Sequence, residues 1–507
     1  MNNTIKYISG MILSSTLILT SCTDGFEEAN FDKKSPITVA PKYLLATAQT
    51  QLMNHYMNVD GQTNATAVQA QFFSESAYPS ASLFDFSDNL EDRYMQGYYT
   101  PTLALSQIQN SIKNTPTTII SEEEKKGWKL ITTTLTAFAM QNATDANGPA
   151  MYSDAFNLEN KTPKYDSQEA IYTSLLKDLY AASSGIDVST SFSDSDMTSQ
   201  DIIFQGDFSK WQKFANSIML RLAMRISDVA PAISKEYFNK AVNENGGVFT
   251  SSADNAIFQY LTSPNGSAWY ETSTISRFPE LAGSNTIIDI QNATNDPRKS
   301  IYWGGSTNPG LEYGKTFSSY SGKGKWDFPY VNQNYAGVGY WSWGKQDTPG
   351  IFIDYAEVEF FLAEAVVRGG YAVTGTAKEH YNKAIEASIN FQAGIVEWDQ
   401  ADIDTAVTDY LAETTVDFDN ATDKLKQIGR EKWVALFFQG PEAWAEARRL
   451  DSPIMNIPSK KTAADLPVRL KFSTNERIVN SSNINEATKL LGAGGDEYTT
   501  KLWWDVK

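Results

Sequence analysis

The sequence predicts a mainly α-helical fold in which pairs of helices carry one loop-rich, aromatic-rich insertion. Apolar residues recur three and four positions apart over 211–226 and again over 351–366, as on the buried face of an amphipathic helix. Over 301–343 this periodicity gives way to glycine and aromatic residues. With 507 residues, 41% of them hydrophobic, the chain is long enough to bury a large core in one elaborated unit.

The amphipathic segments group into four helix pairs. Their first members are expected near 126–143, 209–228, 350–369 and 424–438, and their second members near 167–184, 232–243, 377–392 and 441–450.

The second helix of a tetratricopeptide repeat carries a small residue, an aromatic residue four positions later and an alanine three positions after that. Two of the proposed second helices have this spacing: Ala377, Tyr381 and Ala384 in one, and Ser234, Phe238 and Ala241 in the other. The rest of the chain departs from a 34-residue period, so the repeats would be degenerate. The spacing alone fits a plain helical core equally well.

Composition and charge exclude several functional classes. The formal net charge is −18 and the isoelectric point is near 4.7, whereas a nucleic-acid-binding protein needs a basic face. The chain has two histidines, His55 and His380, and one cysteine, Cys22. It therefore lacks the residues for a Cys/His zinc cluster, a Cys-His nucleophile pair or an internal disulfide bond.

The N-terminus has the layout of a cleaved export signal. Lys6 precedes an apolar run over 8–19, which is too short to span a bilayer. The sequence Leu-Thr-Ser-Cys over 19–22 then resembles a bacterial lipobox, in which the cysteine sulfur is acylated and becomes the new N-terminus. We expect a signal peptide over 1–21, a lipidated tether over 22–41 that begins at Cys22, and one folded domain over 42–507.

Enzymatic motifs are weak. The sequence Gly-Lys-Thr at 314–316 ends like a phosphate loop, but Pro309 occupies the position of the required first glycine. Two acidic segments, 145–148 and 417–419, resemble calcium loops but lack the glutamate at the twelfth position. No cofactor is expected, and a structural calcium ion stays open without an assigned site. A glycoside hydrolase, which needs only two suitably spaced carboxylates, remains an alternative to a binding protein.

Candidate ligand contacts come from aromatic residues in segments without helical periodicity. Positions 301–343 hold 12 aromatic residues, and two shorter sources lie near 72–99 and 269–270. Tryptophan and tyrosine rings offer flat platforms for sugar rings or peptide side chains, although the same rings can pack within the loops. The selected candidates are Tyr78, Phe84, Trp269, Tyr270, Trp303, Trp326, Tyr340 and Trp341.

Three helical segments, 211–227, 354–365 and 439–449, resemble the signature helices of SusD/RagB-type lipoproteins, in the divergent SusD-like branch. They read WQKFANSIMLRLAMRIS, DYAEVEFFLAEA and QGPEAWAEARR. Five shorter motifs follow the expected order, so the resemblance covers 22–507; they lie at 145–156, 296–298, 466–469, 475–476 and 502–505.

This resemblance implies a fold of four tetratricopeptide-like pairs and a non-enzymatic function. Such lipoproteins capture an oligomeric nutrient, glycan or peptide, and deliver it to a SusC-like TonB-dependent barrel in the outer membrane. The expected location is the outer membrane, lipid-anchored and facing the cell exterior, which the acidic residues Asp24, Glu27 and Glu28 after Cys22 favour. The alternatives are a surface glycoside hydrolase and a free-standing surface glycan-binding protein.

Overall fold

Helices form most of the chain in the computed structural model, which describes residues 40–507 except 60–63, 158, 263–264, 272–279 and 333–344. The predicted signal peptide, Cys22, Tyr340 and Trp341 lie outside the described residues. Within them, no helix combines the length and the apolar character that crossing a bilayer requires.

Eighteen helices and four short strands lie within the described residues. The helices are α1 Pro41–Tyr56, α2 Thr66–Gln69, α3 Leu90–Asn114, α4 Glu122–Asn147, α5 Gln168–Ser184, α6 Met197–Gln200, α7 Phe208–Arg225, α8 Pro231–Asn243, α9 Ala268–Tyr270, α10 Asn285–Ala293, α11 Arg298–Trp303, α12 Tyr355–Arg368, α13 Ala377–Ile395, α14 Gln400–Ala412, α15 Lys424–Ala435, α16 Gly440–Leu450, α17 Thr474–Val479 and α18 Ser481–Leu490. The strands are β1 Phe73–Glu75, β2 Ala256–Phe258, β3 Leu281–Gly283 and β4 Gly350–Ile353, paired antiparallel as β1–β3 and β2–β4.

The four predicted helix pairs are confirmed as α4–α5, α7–α8, α12–α13 and α15–α16, and the two helices of each pair pack against each other. Of the residues chosen for repeat spacing, Ala377 is partly buried and the other five are buried. The ring of Phe238 packs against Tyr371 at 4.8 Å between centroids, and that of Tyr381 against Phe418 at 5.0 Å. The mainly α fold with tetratricopeptide-like pairs is therefore confirmed.

The predicted start of the third pair at residue 350 is wrong. Residues 350–353 form strand β4, and helix α12 begins only at Tyr355. The carboxylate of Asp354 accepts a hydrogen bond from the backbone N–H of Glu357 at 2.8 Å and caps the helix there. An apolar run of this length is too short for its periodicity to distinguish a buried strand from the first turn of a helix.

A buried network of ion pairs joins the four helix pairs. Arg221 and Arg225 of α7 lie one turn apart and reach α12 and α16, with Arg221 Nη2 at 2.6 Å from Glu357 Oε2 and Arg225 Nη2 at 2.6 Å from Glu442 Oε2. Arg225 also pairs with Asp145 of α4 and with Glu446 of α16. The signature helices therefore face one another through charged side chains that are all buried.

Glu446 lies at the centre of this network. It accepts hydrogen bonds from Lys432 Nζ at 2.8 Å and Arg449 Nη2 at 2.7 Å, in addition to Arg225. Burial by itself would raise the pKa of the Glu446 carboxyl, but Arg449, Lys432 and Arg225 hold that pKa well below its usual range. Glu446 therefore stays ionised, which a buried carboxylate does only when paired and hydrogen-bonded.

The two segments that resembled calcium loops use their carboxylates within the protein. Asp145 accepts hydrogen bonds from Trp504 Nε1 at 2.8 Å and from Arg225 Nε at 3.2 Å. Asp417 and Asp419 both pair with Lys378, at 2.8 Å and 2.5 Å. Among the described residues no group of histidine, cysteine, aspartate and glutamate side chains is arranged to hold a metal ion.

Candidate ligand-binding face

The aromatic-rich segment forms loops on the helical frame, as predicted. Its described part, 304–332, contains two short 3-10 turns, Phe317–Ser319 and Lys325–Asp327, and otherwise irregular chain. The predicted loop begins three residues too early. Residues 301–303 are helical and complete α11, which ends at the left-handed Gly304.

Backbone hydrogen bonds fasten these loops to strands β1 and β3. The N–H of Gly283 donates to the carbonyl of Pro329 at 2.7 Å, and the N–H of Leu311 donates to the carbonyl of Gly283 at 2.9 Å. On the other side, the N–H of Phe317 donates to the carbonyl of Ser76, just after β1, at 3.0 Å. The loops are therefore held in place although they contain little regular structure.

At two positions in these loops, glycine allows a close approach to a neighbouring segment. A Cβ atom at Gly310 would lie 2.5–2.7 Å from the backbone of Ser284 and Asn285, so only glycine allows the two chains to approach. Gly314 has φ +78°, and a Cβ atom there would lie 2.7 Å from Pro458. The glycines that marked this segment as loop in the sequence are thus required by its packing.

A small hydrophobic cluster of its own supports the loop segment. Ala282, Leu311 and Phe328 are fully buried, and Phe317, Tyr320 and Tyr330 pack around them. Because this cluster is separate from the main core, the aromatic side chains around it are placed at the surface of the molecule.

Three aromatic residues, Tyr78, Trp326 and Tyr330, form what we call the aromatic rim. Trp326 is 52% exposed and Tyr78 is 66% exposed. The rings of Trp326 and Tyr330 meet edge to face, with centroids 5.6 Å apart. The hydroxyl of Tyr330 is near the side chain of Ser76, which brings the segment that carries Tyr78 close to Tyr330.

Two ion pairs involve residues of the loop segment or of the chain that follows Tyr78. Lys315 Nζ lies 2.6 Å from Glu312 Oε2, a contact that raises the pKa of Lys315, and Lys461 Nζ lies 3.2 Å from Asp85 Oδ1. Burial raises the pKa of the Tyr330 phenol, while the Ser76 hydroxyl lowers it. The face therefore offers exposed rings on which an apolar ligand face can stack, and Lys323, with Nζ 5.4 Å from the centroid of the Phe328 ring, adds a positive charge.

Of the six predicted contact residues that the structure describes, only Tyr78 and Trp326 belong to the aromatic rim. Trp303 is buried, with its ring edge-on to Phe73 and Phe437 at centroid distances of 5.9 and 5.3 Å. Its indole N–H donates to Gln291 Oε1 at 2.9 Å. Its position therefore does not support the predicted role as a ligand platform.

Three further candidates are also buried. Trp269 packs on Phe73 at 5.0 Å and on Phe438 at 4.4 Å between centroids. The ring of Phe84 lies 6.2 Å from that of Tyr313, and the hydroxyl of Tyr270 accepts a hydrogen bond from Gln346 Nε2 at 3.4 Å. Phe84, Trp269 and Tyr270 complete an aromatic core between the loops and the helices, so their burial does not fit ligand contact either.

Sequence reasoning did not select Tyr330, which completes the aromatic rim. The available signal was its membership of the same glycine- and aromatic-rich segment, only four residues from Trp326. Nothing in that signal separates it from Phe328, two residues earlier, which is buried.

The protein is a mainly helical one that carries exposed aromatic residues on a loop surface. The family model SusD-like_2, described as starch-binding and associating with the outer membrane, matches residues 33–473. The chain therefore belongs to the SusD-like family. Among curated proteins, no sequence matches significantly.

Solved structures agree with this assignment. A chitin-binding protein is 27% identical over 92% of this chain and 100% of its own, with a TM-score of 0.76. A chitin-binding SusD homologue from Flavobacterium johnsoniae is 23% identical over 91% and 99% of the two chains, with a TM-score of 0.74. A SusD homologue from Bacteroides uniformis is 24% identical over 92% and 100%, with a TM-score of 0.74. The last two likenesses show the fold.

Proposed function

We propose that this protein is a lipid-anchored surface lipoprotein that captures an oligosaccharide and delivers it to a SusC-like TonB-dependent transporter of the outer membrane. The observation that carries the proposal is the family match over 33–473 together with the aromatic rim on the loops. The aromatic rim is the candidate binding surface, and the description of the family supports an association with the outer membrane.

A glycan is the favoured ligand over a peptide. The family is described as starch-binding, and two structurally similar proteins bind chitin. Exposed tryptophan and tyrosine rings can stack on the apolar faces of sugar rings, and a chain with a net charge of −18 offers little attraction for an anionic polymer. We therefore take neutral oligosaccharides, chito- and malto-oligosaccharides first, as ligands.

The proposed function is binding without catalysis. A glycoside hydrolase needs two carboxyl groups on opposite sides of the scissile bond. Near the rim, Glu312 pairs with Lys315, Asp85 pairs with Lys461, and Asp327 accepts a hydrogen bond from the backbone N–H of Gly324 at 2.7 Å. Incubation of the purified protein with the oligosaccharide it binds should leave the chain length unchanged, and shortened products would favour the hydrolase.

Replacing Trp326 by alanine should weaken oligosaccharide binding about tenfold, because the exposed indole of the rim can then no longer stack on a sugar ring. A tenfold change in the dissociation constant corresponds to about 1.4 kcal/mol. Isothermal titration calorimetry with the best-binding oligosaccharide of the panel measures the change.

Tyr43→Ala is the matched control. Tyr43 is 51% exposed, as Trp326 is, but it lies on helix α1 rather than on the loops. Its removal should leave the dissociation constant unchanged. If the two variants change the dissociation constant equally, or if Trp326→Ala does not change it, the aromatic rim is not the binding surface.

A barrel partner should accompany the protein in the membrane. Affinity purification from outer membranes in mild detergent is expected to recover a large TonB-dependent barrel with the tagged lipoprotein. Shared binding between barrel and lipoprotein lowers the affinity that the isolated protein needs, because the anchored domain acts at high effective concentration. Repeated recovery of the lipoprotein alone, with tight ligand binding by itself, would favour a free-standing surface glycan-binding protein.

A further inference from the structure

A pocket that is separate from the aromatic rim lies on the helical frame. Its volume is about 390 Å³, within the range of about 300–1,000 Å³ that is usual for small-molecule sites. It opens between the first half of α3, the segment that follows α4, and the start of α17. None of the rim residues Tyr78, Trp326 and Tyr330 lines it.

The walls of this pocket, which we call the helix pocket, are largely aromatic. Tyr99 of α3 faces Phe156, with ring centroids 6.2 Å apart, and Tyr165 meets Phe472 edge to face at 5.3 Å. Most of the surface that they offer is apolar, and four rings around one cavity provide faces on which a flat apolar ligand surface can pack.

Two polar atoms of residues that line the helix pocket are buried without a hydrogen-bond partner. Asn147 donates through Nδ2 to the carbonyl of Lys471 at 2.7 Å, which fixes the orientation of its amide, and its Oδ1 has no donor. The hydroxyl of Tyr99 lies near the backbone of Met151, which lowers the pKa that burial raises, but it has no hydrogen bond of normal geometry. A ligand that brings a donor to Asn147 Oδ1 therefore supplies the hydrogen bond that this buried acceptor lacks.

Both atoms are buried although their residues line the pocket, so a ligand reaches them only if these side chains move. The required ligand has at least one donor for Asn147 Oδ1 and one acceptor for the Tyr99 hydroxyl. A sugar hydroxyl group meets both needs, and so does the amide of an N-acetylated sugar.

The charges that line the helix pocket argue against an anionic ligand. Asp92 and Glu476 contribute two carboxylates, whereas Lys161 contributes one cation. Glu476 accepts a hydrogen bond from the Tyr165 hydroxyl at 3.2 Å, which leaves further acceptor capacity on its oxygens for ligand hydroxyls. A neutral molecule with apolar faces and hydroxyl groups fits this combination.

We propose that the helix pocket is a second saccharide-binding site that takes one or two units of a neutral glycan. The proposal rests on the proposed function in taking a glycan as the ligand, but it places that ligand at residues outside the aromatic rim. The protein then has two separate binding sites per chain.

Two substitutions test the helix pocket. Ala155→Trp fills it from a partly exposed turn, and Tyr99→Phe removes one hydroxyl while keeping the ring. Both are combined with Trp326→Ala, and calorimetry with chitotriose and with maltotriose measures the number of sites and their affinities. A urea midpoint for each variant shows that the fold is retained.

We expect two sites per chain in the wild type. Ala155→Trp should leave only the rim site, and Trp326→Ala should weaken the rim site about tenfold while the helix-pocket site keeps its affinity. The double variant should retain only the weakened rim site. Tyr99→Phe should weaken the helix-pocket site several-fold and leave the rim site unchanged. A single site in the wild type that only Trp326→Ala weakens would overturn the helix pocket and leave the proposed function intact. Failure of the wild type to bind either trisaccharide would overturn both, and binding lost only with Ala155→Trp would support the pocket against the rim.

Discussion

Replacing Arg225 by methionine is expected to lower the free energy of unfolding by about 3–5 kcal/mol, the usual cost of leaving buried charges without their partner. Arg225 is fully buried and pairs with Asp145, Glu442 and Glu446. Methionine keeps much of the volume of the stem but leaves three carboxylates with one positive charge fewer. Chemical denaturation, followed by circular dichroism, measures the shift.

Two further variants make this test specific. Lys489→Met breaks an exposed ion pair on α18, between Lys489 and Glu486, and should leave stability unchanged because exposed pairs contribute little. Adding Glu442→Gln to Arg225→Met removes one of the uncompensated charges and should restore part of the loss. If Arg225→Met is as harmless as Lys489→Met, the network does not hold the helix pairs together.

Cys22→Ala should release nearly all of the protein from the membrane. Cys22 is the only cysteine in the sequence and ends a lipobox-like segment, so its replacement removes the one proposed acylation site. Several acyl chains on one residue bind a bilayer stably, at about 0.8 kcal/mol per buried CH₂ group, whereas the folded domain carries no helix suited to spanning it within the described residues. Fractionation of cells that lack the transporter measures the distribution.

Ser21→Ala serves as the control because it keeps a small residue before Cys22 and should leave the protein in the membrane fraction. Persistent membrane association of Cys22→Ala in the absence of the transporter would contradict the lipid anchor. Detection of the acyl group on Cys22 by mass spectrometry would support it directly.

The helix pairs could be predicted because their signal is local. On α7, the recurrence of Trp211, Phe214 and Ile218 at three and four positions describes a buried helical face, and the structure places all three side chains in the core. The charged residues of the signature helices can also be read from the sequence. Their ion-pair partners cannot, because Arg225 and Glu442 are 217 residues apart.

The sequence by itself determined the class of fold, the position of the loop segment and the family, because periodicity, glycine content and motif order are all properties of neighbouring residues. Only the tertiary structure decided which aromatic rings face solvent. Trp303 and Trp326 share the same loop-like composition, yet one is enclosed by Phe73 and Phe437 while the other is half exposed. The helix pocket has the same origin, since Tyr99, Asn147 and Phe472 meet only through packing between distant segments. Burial of a ring depends on such partners from distant parts of the chain, and no local pattern records them.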